Sequence, residues 1–127
     1  MRAGRLRSRA IIRRPTEERQ PLGDVETTYP AVGMAWVEVR PPRRLLANYG
    51  AGEIPEGRME AELREHIDVR MRDVLEIIAG PESGTRWRAV SPPHRPGDGS
   101  LVILLEVYEP ELPPADDGDD GGDEEES

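Results

Sequence analysis

The chain has 127 residues, enough for one domain and too few for two. It has no cysteine, which excludes a disulfide framework and thiol-based metal or redox chemistry; nothing in it approaches the apolar length of a membrane span or a signal segment, so it reads as a soluble protein. The formal net charge of −9 belongs to one end: residues 111–127 hold nine acids and no base, leaving seventeen acids against seventeen arginines in residues 1–110.

In chain order, the first predicted element covers residues 5–14. Leu6, Ser8, Ala10 and Ile12 alternate with Arg5, Arg7, Arg9 and Arg13, the pattern of a half-buried strand that Pro15 ends. The polar stretch 16–24, with Pro21 and Gly23, reads as a loop. A second strand is predicted over 34–40, with Ala35, Val37 and Val39 on one face and Trp36, Glu38 and Arg40 on the other; Pro41 and Pro42 stop it. Residues 41–65 form a long insertion. Leu45, Leu46 and Tyr49 suit a helical turn, and 56–65 suits a helix with Met59 and Leu63 at i,i+4 spacing, which leaves Glu60 and Glu62 on a solvated face. A third strand is predicted over 66–72, carrying Ile67, Val69 and Met71 on one side. Residues 73–78 fit either a short helix or a strand. Strands follow at 85–90 and 101–108, the latter the most apolar. The acidic residues 111–127 have nothing to bury and are expected to be disordered. The fold class is therefore mainly β: a small antiparallel barrel or sandwich over residues 1–110, with a long, partly helical insertion.

Catalytic and metal-binding patterns are missing. Neither His66 nor His94 has a partner in sequence, no nucleophile elbow or phosphate loop is present, and the acidic run fails the calcium-loop spacing because glycine stands at its fifth ligand position. No enzyme, cofactor or metal is predicted. The cations carry more information. All seventeen are arginine, whose planar fork binds carboxylate or phosphate bidentately. Six lie within residues 2–14 with no acid among them. Arg5, Arg7, Arg9 and Arg13 on one strand face fit a nucleic-acid or acidic-partner surface; equally, they fit an exposed strand face whose long cations discourage edge aggregation.

The order of motifs resembles the head-closure (stopper), or head–tail joining, proteins of tailed phages. Those proteins open with Gly-x-Leu-Arg and a strand ending Ile-x-Arg-Pro, matched here by Gly4-Arg5-Leu6-Arg7 and Ile12-Arg13-Arg14-Pro15. A Trp-x-Glu-x-Arg-Pro strand follows, matched by Trp36 to Pro41, then a Leu-rich turn at Arg44-Leu45-Leu46. Next comes a His-x-x-x-Arg-x-Arg segment, matched by His66, Arg70 and Arg72. The similarity spans residues 1–108; the acidic tail and the length of the insertion depart from it.

The resemblance implies a homo-oligomeric ring of about twelve copies below the portal and its adaptor, at the virion neck, assembled in the host cytoplasm. Such a ring retains packaged DNA passing through its channel and docks the tail. It further implies that the 41–65 insertion faces the channel, which makes Arg43, Arg44, Leu45, Leu46, Ile54, Arg58 and Met59 the channel-loop candidates. With Arg64 and five glutamates that loop is close to neutral. The rival expectation is a monomeric nucleic-acid-binding barrel using Arg5, Arg7, Arg9 and Arg13.

Overall fold

The structure, a computed structural model, describes residues 6–45, 54–110 and 112. Eight strands follow in order: β1 (Ser8–Arg13), β2 (Thr16–Arg19), β3 (Val25–Thr28), β4 (Ala31–Arg40), β5 (Met59–Arg64), β6 (Val74–Ala79), β7 (Arg86–Ala89) and β8 (Ser100–Val107). Six of them close an antiparallel barrel in the order β1-β4-β5-β8-β7-β6, with β6 pairing back to β1. Closure removes the exposed edges that a sandwich would leave. The remaining pair, β2 and β3, forms a separate two-stranded ribbon between β1 and β4.

Alternation builds the interior. Ala10 and Ile12 of β1, Val37 and Val39 of β4, Leu63 of β5, Leu75 and Ile77 of β6, Trp87 of β7, and Leu101, Ile103 and Leu105 of β8 converge in one buried cluster. Fully burying each of the larger side chains is worth about 1.5–3 kcal/mol. The outward residues of β8, Val102 and Leu104, are buried too, in a second cluster with Leu45, against which Ile54 and Val90 pack. Both faces of β8 are thus covered, which is why its sequence is apolar almost without interruption.

Four expectations are corrected. The helix predicted over 56–65 is strand β5, paired with β4 on one side and β8 on the other. Met59 and Leu63 at i,i+4 spacing also sit at i,i+2 spacing with Ala61, and as a central strand the segment buries Ala61 and Leu63 on one face while Glu60 and Glu62 are covered on the other. The insertion therefore ends at Arg58, and the predicted turn at Leu45, Leu46 and Tyr49 runs outside the described residues after Leu45.

The third predicted strand, 66–72, is a connection between β5 and β6. Val69 is buried and Ile67 packs against the core, as the alternation requires, but Met71 is exposed. The chain turns here because the Asp73 carboxylate accepts the Arg70 N–H at 2.9 Å while the Asp73 N–H donates to the Arg70 carbonyl at 3.0 Å. Arg72 takes a left-handed conformation at φ 83°, rare for a residue with a side chain. The ambiguous stretch 73–78 is strand β6, fixed by pairing with β1 and β7 on its two sides.

The loop expected at 16–24 holds strand β2, and its Gly23, at φ +95°, makes the turn into β3. Finally, Glu60 and Glu62 are buried rather than solvated. The acidic stretch 113–127 lies outside the described residues.

Candidate functional site

The 41–58 arm leaves the barrel at the end of β4 and returns into β5, so the strand registers decide how it is rooted. Arg40 stands opposite Glu60 and Glu38 opposite Glu62; on the other side of β5, Glu60 faces Leu104 and Glu62 faces Val102. All of these point outward from the barrel, under the first turn of the arm. Two carboxylates opposite or beside one another repel, and Arg40 reconciles them. Its Nη1 lies 2.7 Å from Glu38 and 2.8 Å from Glu62, and its Nε donates to Glu60 at 2.7 Å. Burial alone lowers the Arg40 pKa, but the hydrogen bonds to Glu62 and Glu60 outweigh it and hold the guanidinium above its ordinary value.

Glu60 does more than balance charge. With 0% of its surface exposed, it accepts the backbone N–H groups of Arg43 and Leu45 at 3.1 Å each and that of Arg44 at 3.4 Å. A strand carboxylate thereby satisfies the free donors of the turn once the prolines have stopped β4. Leu45, fully buried, is driven onto Val102 and Leu104. Arg44 reaches the other way: its Nη1 donates to the Ser100 hydroxyl and its Nη2 to Asp98, both at 2.9 Å, and Nη1 lies 3.6 Å from Glu62. The hydrogen bond from Ser100, with help from Arg44, holds the Asp98 carboxyl below the usual carboxylate range. The returning end of the arm is tied by Arg58, 3.4 Å from Glu106, which Arg88 also binds.

The channel-loop candidates thus divide. Arg44, Leu45, Ile54 and Arg58 root the arm on the barrel's outer surface, Arg43 is exposed, Leu46 lies outside the described residues, and Met59 belongs to β5 and packs against the main core. Glu60 and Glu62, counted in the near-neutral loop, are consumed at its root.

The arginine strand divides as well. Arg7 is exposed, Arg9 lies over the Trp36 ring at 5.1 Å, and Arg5 lies outside the described residues. Arg13 is corrected: it is buried, donating through Nε to Glu76 at 2.9 Å. It keeps the outer face that alternation assigns, but there it is covered and held by Glu76 of β6 and the Tyr29 carbonyl. Arg14, the next residue, donates to the buried Asp73 at 2.8 and 3.0 Å and pins the β5–β6 connection. That hydrogen bonding raises the Arg14 pKa against the opposing pull of burial.

Sequence reasoning named Arg13 as a surface cation and left Glu60 and Glu62 on a solvated face, and it missed the roles of Arg40 and Asp73. A usable signal existed for the glutamates: the alternation Met59-Glu60-Ala61-Glu62-Leu63 is a strand pattern. Among the described residues no group of three or more histidine, cysteine or acidic side chains is placed to hold a metal ion, and no helix is long and apolar enough to cross a membrane. The arrangement is structural: it ties the two described ends of the 41–58 arm to a closed barrel.

Comparison with known proteins gives the family and the fold. The family model described as phage head completion protein matches residues 1–98, a span that takes in β1 to β7 and the whole arm. Protein SF1141 from Shigella flexneri 2a, solved in solution, has the same fold: TM-score 0.70 at 21% identity, covering 87% of this chain and 100% of that one. No match was found among the curated proteins.

Proposed function

We propose, for a chain that belongs to the phage head completion protein family and is a structural component of the virion, a specific place at the neck. It forms a ring below the portal and its adaptor, retains the packaged DNA and offers the tail a docking surface. The observation that carries this reading is the family match across the barrel and the arm together. The rooting of the arm supports it, since a loop crowding a channel under DNA pressure needs a stiff base. Two buried carboxylates, two arginines and the Leu45 plug provide one.

With Glu60, Glu62, Arg64 and Glu65 assigned to the barrel side, the 41–58 arm keeps Arg43, Arg44 and Arg58 against Glu53 and Glu56. Arg44 and Arg58 are paired. An arm with few free cations lets duplex DNA pass without the affinity that each phosphate contact adds. The acidic tails, in about twelve copies, would put on the order of a hundred negative charges on one ring and lie outside the DNA path.

The test is mass measurement and negative-stain imaging of the protein with and without a portal–adaptor assembly. Rings seated below the adaptor are expected; a persistent monomer that ignores the assembly overturns the reading. The rival monomeric nucleic-acid barrel loses Arg13 to Glu76 and half of Arg9 to Trp36, leaving too sparse a cationic face among the described residues.

A further inference from the structure

Among the described residues two surfaces are left without partners, and they are complementary. The first is the β2–β3 ribbon. Its strands pair only with each other, and nearly all their residues are exposed. An isolated two-stranded ribbon is marginal in water, so this one lacks the support its length calls for. It ends in Leu22, 92% exposed, beside the exposed Val25. Glu17, Glu18 and Asp24 have no ion pair among the described residues, and Glu26 only accepts a hydrogen bond from Gln20. Against these four acids stands a single base, Arg19.

The second is the outer face of β4 and β1. Val32, Met34 and Trp36 occupy alternate positions of β4 and are each about half exposed, with Trp36 at 47%. Trp36 faces Arg9 across the β1–β4 ladder and Met34 faces Ile11. Arg7 and Arg9 have no ion pair among the described residues, and the Arg9 Nε is buried without a hydrogen-bond acceptor. Of the acids around this face, Glu38 and Glu76 are engaged by Arg40 and Arg13, while Glu82 lines a shallow pocket beside Arg7 without an ion pair to it among the described residues.

We infer that the occupant of this face is the ribbon of a second copy of the chain. One surface is acidic with an apolar tip; the other is apolar with free arginines at its edge. Within one chain the ribbon leaves from the Arg13–Ala31 end of the ladder, whereas Arg7 and Arg9 lie toward the other end, so the match is made between copies. Such a contact is heterologous, one patch against a different patch, the kind that closes into rings. The inference rests on the ring reading above and adds the surfaces that join its subunits.

The chain has no cysteine, so introduced thiols are unique. A Leu22→Cys chain mixed with a Met34→Cys chain, treated with a short bis-maleimide in concentrated solution and again on a portal–adaptor assembly, is expected to crosslink at least tenfold more than Leu22→Cys with Val107→Cys. Arg9→Glu in the Met34→Cys chain should abolish the excess, and Glu17→Arg with Glu18→Arg in the Leu22→Cys chain should restore it. An unchanged thermal melt of each variant certifies folding. Equal yields in the two pairs, no crosslink in either, or indifference to the charge exchange overturns the contact. Copies that assemble on the portal but crosslink elsewhere overturn the contact and leave the ring standing; a chain that never engages the portal removes the ring reading itself.

Discussion

Single residues in this barrel are constrained by charge burial and by backbone approach. Glu60 accepts from Arg40 Nε and from the turn that begins the arm, so truncating it leaves that buried N–H and the backbone N–H groups of Arg43, Arg44 and Leu45 unpaired together. Glu60→Ala is expected to destabilise the fold by about 3–5 kcal/mol in urea denaturation. Adding Arg40→Met should deepen the loss rather than rescue it, because the buried Glu62 then loses its 2.8 Å ion pair while Arg44 stands farther off, at 3.6 Å. Gly80 is constrained differently. It sits at φ +99°, and a Cβ there would lie 2.4 Å from the Arg7 carbonyl oxygen and 2.6 Å from Ser8 Cα. Both are backbone atoms and cannot rotate away. Gly80→Ala should cost about 1–3 kcal/mol, visible as a lowered melting temperature, whereas Gly84→Ala meets only the strain of its own φ, with nothing near its Cβ.

At the scale of elements, the junction after β8 carries a pH response. Tyr108 donates its backbone N–H to the Arg86 carbonyl, and its ring lies 5.9 Å from that of Tyr29, at the foot of β4. Burial, followed by the hydrogen bond with Tyr29, pushes the Tyr108 phenol up to about 12 from 10.0. The raised value means that the folded state holds the proton longer than the unfolded state. The associated stability is fully present below pH 10 and is lost as pH rises toward 12. Denaturation midpoints measured across that window should fall, and Tyr108→Phe should flatten the fall. Asp98 works with the opposite sign. Its lowered pKa makes the tie through Arg44 present above the ordinary value of 3.8 and progressively lost as pH falls below it, so Asp98→Asn should flatten the acid limb.

For the whole molecule, the separation of charge matters most. A formally neutral barrel carries a polyanionic stretch that the structure does not describe. Deleting residues 111–127 is expected to leave the melting temperature within about 2 °C, because their sequence offers little apolar surface to bury. If the tails act by repelling or steering nucleic acid and partners at the neck, the same deletion should alter assembly or DNA retention in a salt-dependent way. An unchanged, salt-indifferent particle would reduce the tail to a solubiliser.

Alternation along β1, β4, β7 and β8 was legible in the residues because side chains on a strand change face at every step, and a barrel has one wet and one dry face. The neutrality of residues 1–110 was legible for a simpler reason: it is a property of composition. The ordered motifs pointed to the phage family, which the match over residues 1–98 bears out. What only the tertiary structure decided is where that alternation misleads. Glu60, Glu62 and Arg40 alternate outward like surface residues, yet the arm folds over them, and no local pattern announces a cover that arrives from elsewhere in the chain. The 66–72 segment alternates as a strand should, but a strand exists only where a neighbour offers a ladder; Asp73 captures the Arg70 N–H first and the chain turns.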